Sequence, residues 1–133
     1  MKESAFQFQN PKVKSIEFRI SETYNPNQKF NFANRFDTKI TRYSDDSKHA
    51  LVELIVKIGE EGSENPPFSV LMIIGAMFKW DEGYDDGTIS RLLSINAPTL
   101  LLGYARPIIA YITSTSGFAS YNIPFINFTP ERI

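Results

Sequence analysis

From Phe6 to Ile20 every second residue reads Phe6, Phe8, Asn10, Lys12, Lys14, Ile16, Phe18, Ile20. Apolar at both ends and basic in the middle, this face predicts a strand bent or bulged near Pro11, which has no backbone N–H to give a ladder. Residues 21–34 are rich in Asn and Gln and carry Pro26, so they predict a loop, although it holds Tyr24, Phe30 and Phe32. Arg35 to Tyr43 alternates and ends at a turn signal, Ser44-Asp45-Asp46-Ser47. The next strand is expected from about Lys48 to Gly59, with Val52, Leu54, Val56 and Ile58 on one face and Leu51, Glu53, Ile55 and Lys57 on the other. An acidic, Pro- and Gly-rich connection over 59–67 then predicts a hairpin. Phe68 to Trp80 is apolar on both parities: Phe68, Val70, Met72, Ile74, Phe78 and Trp80 on one, Leu71, Ile73 and Met77 on the other. A strand of that kind has no water on either face. In a chain with little helix to spare, the second cover is expected from another subunit or from a bound client.

Asp81 to Gly87 reads as a polar turn, and Thr88 to Ile95 fits a short helix. The strong helix is expected to follow, with Asn96 as cap, an early proline at Pro98, and Gly117 as its stop. Leu101, Tyr104, Ala105, Ile108 and Ile112 recur at helical spacing and mark the expected buried stripe. Pro107 sits inside, where it removes a hydrogen bond and should kink the helix. Phe118 to Ile133 alternates aromatics with prolines and is too short for much structure. Four strands followed by helix is an α+β pattern, read here as a single domain over residues 1–133 with no internal repeat.

Composition narrows the function more than the fold. The 133 residues carry 42% apolar and 22% charged side chains and a net charge of −1, the profile of a globular chain. With no basic excess there is no electrostatic case for nucleic acid. The absence of cysteine removes disulfides and thiolate metal sites together and fits a reducing cytoplasm. The N-terminus has no apolar signal core, and the longest apolar run, Phe68 to Phe78, is too short to span a bilayer, so no membrane insertion is expected. Without a secretory signal, the glycosylation sequon Asn127-Phe128-Thr129 is read as coincidence. Eleven Phe, six Tyr and one Trp make 14% aromatic residues, a heavy load for this size. Aromatics can all be core; they also let a surface grip many apolar sequences at little entropy cost.

Catalytic chemistry finds little to stand on. His49 is the single histidine, and with no cysteine a metal site would need carboxylates alone, so neither metal nor other cofactor is expected. Asp45-Asp46 and Asp85-Asp86 have the oxygens, but adjacent acids in turns are ordinarily solvated turn formers. No phosphate loop, dinucleotide fingerprint or nucleophile elbow is present. Tyr104-Ala105-Arg106 has the types of a catalytic pair, yet an Arg on the polar side of a helix is ordinary. The chain is not expected to be an enzyme.

The stretch Asn96-Ala97-Pro98-Thr99-Leu100-Leu101-Leu102-Gly103-Tyr104-Ala105-Arg106 resembles the signature of the SecB family of protein-export chaperones, a proline-initiated helix leading to Tyr-Ala-Arg. Gly117-Phe118 and Ile123-Pro124-Phe125-Ile126-Asn127-Phe128 match that family's Gly-x-Phe and its closing Pro-(x)-Asn-Phe. Phe6-Gln7-Phe8-Gln9 with Ile16-Glu17-Phe18 looks like its first strand, and Gly75-Ala76-Met77-Phe78 like a later strand core. The similarity runs through nearly the whole chain in consistent order. It implies a four-stranded antiparallel sheet with a long kinked helix packed on one face, subunits that pair, and pairs that form a tetramer with helices between sheets. It implies holding non-native polypeptides extended and aggregation-resistant, without ATP, in grooves lined by aromatic and aliphatic residues. By position, Phe30 and Phe32 in the crossover loop and Phe118, Tyr121, Ile123 and Phe125 in the tail are the candidate client-binding residues; the alternative is that they simply cover the sheet.

Some positions depart from the export members, which dock the translocase motor SecA through acidic residues on the sheet and through a basic, Cys/His-bearing tail. Ser15, Arg19 and Leu71 stand at those sheet positions here, and the chain as given stops at Ile133, ahead of such a tail. Some relatives instead guard the antitoxin of a toxin–antitoxin pair, which needs no such acids. Pro107 replaces a polar residue of the central helix, so the dimer packing is expected to differ. The expected partners are therefore unfolded clients, with SecA or an antitoxin beside them, and sister subunits in a dimer or tetramer. A small hydrophobic ligand in the aromatic pocket is the rival from another class.

Overall fold

Phe68 to Trp80 is the strand on which the others assemble, because each of its parities offers apolar side chains to neighbours on both sides. The computed structural model describes residues 1–43, 48–59 and 65–129. Its strands are β1 (Phe6–Phe8), β2 (Lys12–Ile20), β3 (Asn34–Arg42), β4 (His49–Ile58) and β5 (Phe68–Trp80). They form one antiparallel sheet in which β5 has β4 on one side, β3 lies beyond β4, and β1 and β2 share the other side of β5. The turn expected at Ser44–Ser47 and its Asp45-Asp46 pair, and residues 60–64 of the expected hairpin connection, lie outside the described residues.

The first strand is broken where Pro11 predicts a bend. β1 pairs Phe6 with Trp80 and Phe8 with Phe78, and the Gln9 N–H still donates to the Met77 carbonyl at 2.9 Å. The ladder then lapses and resumes as β2 at Lys12, with a further shift of register between Val13 and Ser15. The four expected strands are therefore four positions in the sheet, the first filled by two collinear pieces. From the end of β2 the chain must reach the opposite edge to begin β3, and residues 21–33 make that crossing.

The pleat separates two unequal faces. On the inner one, Val52, Leu54, Val56 and Ile58 of β4 and Val70, Met72, Ile74 and Phe78 of β5 are buried under the helix and tail. On the outer one, Leu51, Ile55, Leu71, Ile73 and Met77 are only half-buried. Among them Glu53 is the exception, 8% exposed and held by the Lys14 ammonium at 3.3 Å. Its stem lies over Gly75, where a Cβ would come within 3.0 Å of the Glu53 Cγ and 3.2 Å of the Val52 carbonyl. Glycine at this position is what lets a charged side chain lie flat on the sheet and reach its partner.

The helix begins earlier than Asn96. Asp85 caps it, its carboxylate accepting from the Thr88 N–H at 2.7 Å, and α1 (Asp86–Arg91) runs through a π-turn at Leu92–Asn96 into α2 (Ala97–Thr115). Asn96 is itself helical and caps nothing. The wide turn, with the Ala97 N–H donating to the Leu92 carbonyl, carries the chain past Pro98 without a break, and the Thr99 hydroxyl satisfies the Ile95 carbonyl at 2.6 Å. The buried stripe is also rotated from the expected one. Ala97, Pro98, Leu101, Leu102, Ala105, Ile109 and Thr113 face the sheet, whereas Ile108 and Ile112 are half-buried and Tyr104 is exposed. The helix runs on through Pro107, which stands on its exposed side. It ends as Gly117 predicts: at φ +95° the chain turns so that the Phe118 N–H reaches the Thr113 carbonyl at 3.2 Å.

By length and composition the helical run 86–115 is apolar enough to cross a membrane, a property shared by core helices of soluble proteins, and its buried stripe lies on the sheet. Beyond Gly117 the tail continues to Phe128 without helix or strand.

Phe78 joins β1 to this core, with the Phe6 ring stacked at 5.4 Å and Phe8 at 6.3 Å. Phe78→Ala is expected to destabilise the fold by about 3–5 kcal/mol, read as a lowered urea midpoint at unchanged slope. The hydrogen bond from Thr88 holds the Asp85 carboxyl below the usual carboxylate range. A lowered folded value means the cap is complete at neutral pH and is lost as pH falls through it. Amide protection at Thr88 should therefore drop on acidification. Asp85→Asn, which caps without a titrating group, should abolish that pH dependence.

Candidate functional site

Phe68, the first residue of β5, points into the inner face and is the hub of an aromatic cluster drawn from four parts of the chain. Phe32 of the crossing segment stacks on it at 4.6 Å, Phe118 of the tail tilts against it at 5.1 Å, Phe18 of β2 lies at 5.4 Å and Tyr121 meets it edge-on at 6.3 Å. Phe32 and Tyr121 also touch edge-to-face at 5.0 Å, and Tyr24 extends the cluster through Phe118 at 6.0 Å. Offset and edge-on rings at these distances add to what area burial alone contributes.

The tail lies across the inner face as an extended chain whose polar groups are met by side chains. Thr113, fully buried on α2, donates its hydroxyl to the Ile109 carbonyl at 2.9 Å and accepts the Tyr121 N–H at 2.9 Å. The Tyr121 hydroxyl bonds the Asn34 side-chain oxygen at 2.8 Å, tying the tail to the start of β3. Arg106 reaches from α2 to the carbonyls of Ile123 at 3.1 Å and Pro124 at 2.8 Å. Beyond these anchors, Phe128 meets Phe36 of β3 at 6.3 Å. The grip is thus two backbone carbonyls on a guanidinium and one backbone N–H on a hydroxyl, with the apolar side chains other than Phe125 packed against the core. It is a way of holding an extended polypeptide that depends little on sequence.

The six residues singled out by sequence do not all meet. Phe32, Phe118 and Tyr121 come together around Phe68. Ile123 is 4% exposed and belongs to the core. Phe30 is half-buried in the crossing segment, and Phe125 is 97% exposed, with the Arg106 guanidinium 5.5 Å from its ring. Phe18, Phe68, Asn34, Arg106 and Thr113 belong to the same site and were not singled out. Phe68 reads as one more core residue of a strand, and Arg106 as an ordinary polar-face cation; only the path of the tail gives them these roles. Tyr111 stands out from α2, 71% exposed, while Tyr104, 44% exposed, meets the Phe8 ring of β1 edge-on at 6.1 Å, with half-buried Leu100 and Ile108 beside them. Among the described residues no group of three His, Cys, Asp or Glu side chains is placed to hold a metal ion.

Comparison with known proteins bears on this arrangement. Protein-export protein SecB of Orientia tsutsugamushi, from strains Boryong and Ikeda, is 26% identical over 121 residues, covering 91% of this chain and 71% and 69% of those proteins. A solved SecB-like chaperone of Mycobacterium tuberculosis, in complex with a peptide from an antitoxin, superposes with a TM-score of 0.73 at 10% identity, over 91% of this chain and 90% of its own. A protein of unknown function from Streptococcus agalactiae superposes at 0.50, also at 10% identity, over 90% of this chain and 97% of its own. The family model described as preprotein translocase subunit SecB matches residues 2–130, which takes in every strand, the helix and the described tail, and this chain belongs to that family.

Proposed function

We propose that the protein is an ATP-independent holdase of the cytoplasm that keeps non-native polypeptides extended on the aromatic surface around Phe68. The observation that carries this reading is the tail itself. An irregular segment bearing Phe118, Tyr121, Ile123, Ile126 and Phe128 is held extended on the sheet by ring packing and by hydrogen bonds to its backbone. A client that displays similar residues meets the same chemistry, and Phe30, Phe32, Phe118, Tyr121, Ile123 and Phe125 are the client-binding residues of this proposal. Phe125 and Phe30 offer contact area from the start; the others become available as the tail shifts. Exposed aromatic surface of this kind selects for unfoldedness rather than for one sequence.

A second reading, a dedicated chaperone of one partner such as an antitoxin, is favoured by Ser15, Arg19 and Leu71 at the sheet positions where export members carry acids for SecA. The likeness to a chaperone solved with an antitoxin peptide supports it too. In either case Tyr104, Tyr111 and their half-buried neighbours on α2 supply an apolar face for sister subunits, giving a dimer or tetramer.

The purified chain is expected to delay aggregation of denatured model clients at stoichiometric ratios; no delay across several clients sinks the first reading. A pull-down that returns one abundant partner selects the second. Phe125→Ser with Phe30→Ser should weaken client binding several-fold at unchanged urea midpoint, since neither ring is core. Arg106→Ala removes two charge-assisted bonds, worth about 1–2 kcal/mol together after solvent screening. Exchange of the Tyr121 amide should then rise roughly tenfold, and an unchanged rate would mean that the guanidinium does not hold the tail.

A further inference from the structure

The outer face of the sheet has a charge the whole chain does not. Strand register places Lys12, Lys14 and Arg19 of β2, Arg35 and Lys39 of β3, Lys57 of β4 and Lys79 of β5 there, against Glu17, Asp37 and Glu53. Seven cations against three anions leaves an excess of four positive charges among the described residues of this face, on a protein whose formal net charge is −1. Each of the three anions is already neutralised on that face, by Arg19, Arg35 and Lys14 respectively. The ammonium groups of Lys39 and Lys79, and that of Lys12 at the start of β2, have no ion pair among the described residues.

These three free cations surround an apolar floor. A depression of about 460 Å³ is lined by Leu51, Met77, Val13 and Ala76, with Lys12 and Lys14 on its β2 side. Lys79 follows Met77 on the same face of β5, and Lys39 stands opposite Glu53 on the β3 side. Ile55, Ile73 and Leu71 continue the apolar path along β4 and β5. Leu51 and Met77 of this floor are half-buried and Val13 is exposed, while the lysines around it are exposed.

We propose that this face docks an acidic, amphipathic segment of a partner protein, its carboxylates on Lys12, Lys39 and Lys79 and its apolar side chains in the depression over Leu51 and Met77. Charge complementarity singles out this occupant. A second copy, face to face, would set one positive excess against another. A nucleic acid would find an apolar centre and a buried carboxylate, Glu53, where it needs cations on phosphates. The aromatic cluster lies on the opposite side of the sheet, so the two surfaces can be occupied together.

The test uses the full chain and fluorescent peptides of equal length: Glu/Leu, Lys/Leu and Glu/Ser, each with saturating unfolded client present. The Glu/Leu peptide should bind, with anisotropy that falls as salt rises, and the other two should not. Lys12→Gln with Lys39→Gln and Lys79→Gln should weaken it about tenfold or more, and Met77→Gln should weaken it separately, with client holding unchanged in both. The proposal is overturned if the triple variant binds as tightly as the parent, if Lys/Leu binds equally well, or if client displaces the peptide completely. Equal binding of a single-stranded oligonucleotide or of anionic vesicles overturns it as well, by making the face a general polyanion surface. Loss of client holding by the parent would refute the holdase while leaving the peptide titration readable.

Discussion

Burial of one phenyl ring organises the half of the molecule that carries the proposed client surface. Phe68 begins the central strand, and its ring is covered by β2, the crossing segment and the tail, none of which adjoin it in sequence. Each covering element is irregular or lies at an edge, and each would present an apolar ring to water if the others left. Their packing is mutual, so the crossing segment keeps its path because the tail is present, and the tail keeps its own because of Thr113 and Arg106. A surface made this way is stable as a set and weak element by element, which suits the proposed exchange of its own cover for a guest.

The two faces of the sheet divide the labour between shape and charge. The inner face is filled by side chains meeting side chains, with its few polar groups anchoring the tail. The outer face leaves its apolar row half-covered and arranges its cations around it, with Glu53 drawn flat over Gly75 to meet Lys14. A glycine in the middle of a long strand is ordinarily a weakness. Here its missing side chain makes room for the one acidic group in that row.

Much of this was legible in the residues. Period-two alternation gave β3 and β4 within a residue at each end, and the apolar run gave the bounds of β5, whose outer parity is half-buried in this chain rather than dry. Pro11 marked the break in the first strand, and Gly117 the end of the helix. The helix start was misread because Asn96 and Pro98 look like a cap and a first turn, whereas Asp85 caps a run that a π-turn carries past the proline. That extra residue per turn also shifts the phase, so the buried stripe falls on Leu102, Ile109 and Thr113 rather than on Tyr104, Ile108 and Ile112. The site was half legible. The rings of the crossing segment and tail stood out as surplus aromatics, but their hub and anchors are long-range partners that no local pattern links. Net charge hid the cationic face, because acids gathered in turns such as Asp81–Asp86 cancel in the sum what strand parity segregates in space.

The π-turn at Leu92–Asn96 has a further meaning for how this helix relates to its relatives. A π-turn is an α-helix with one residue inserted, and removing that residue restores ordinary winding. Were the same residues wound as ordinary α-helix instead, everything after Asn96 would swing about the helix axis by about 100°, carrying Tyr111 toward the sheet and Ala105 away from it. The π-turn thus acts as an indexing pin: it decides which side of the long helix lies on the sheet and which faces away from it.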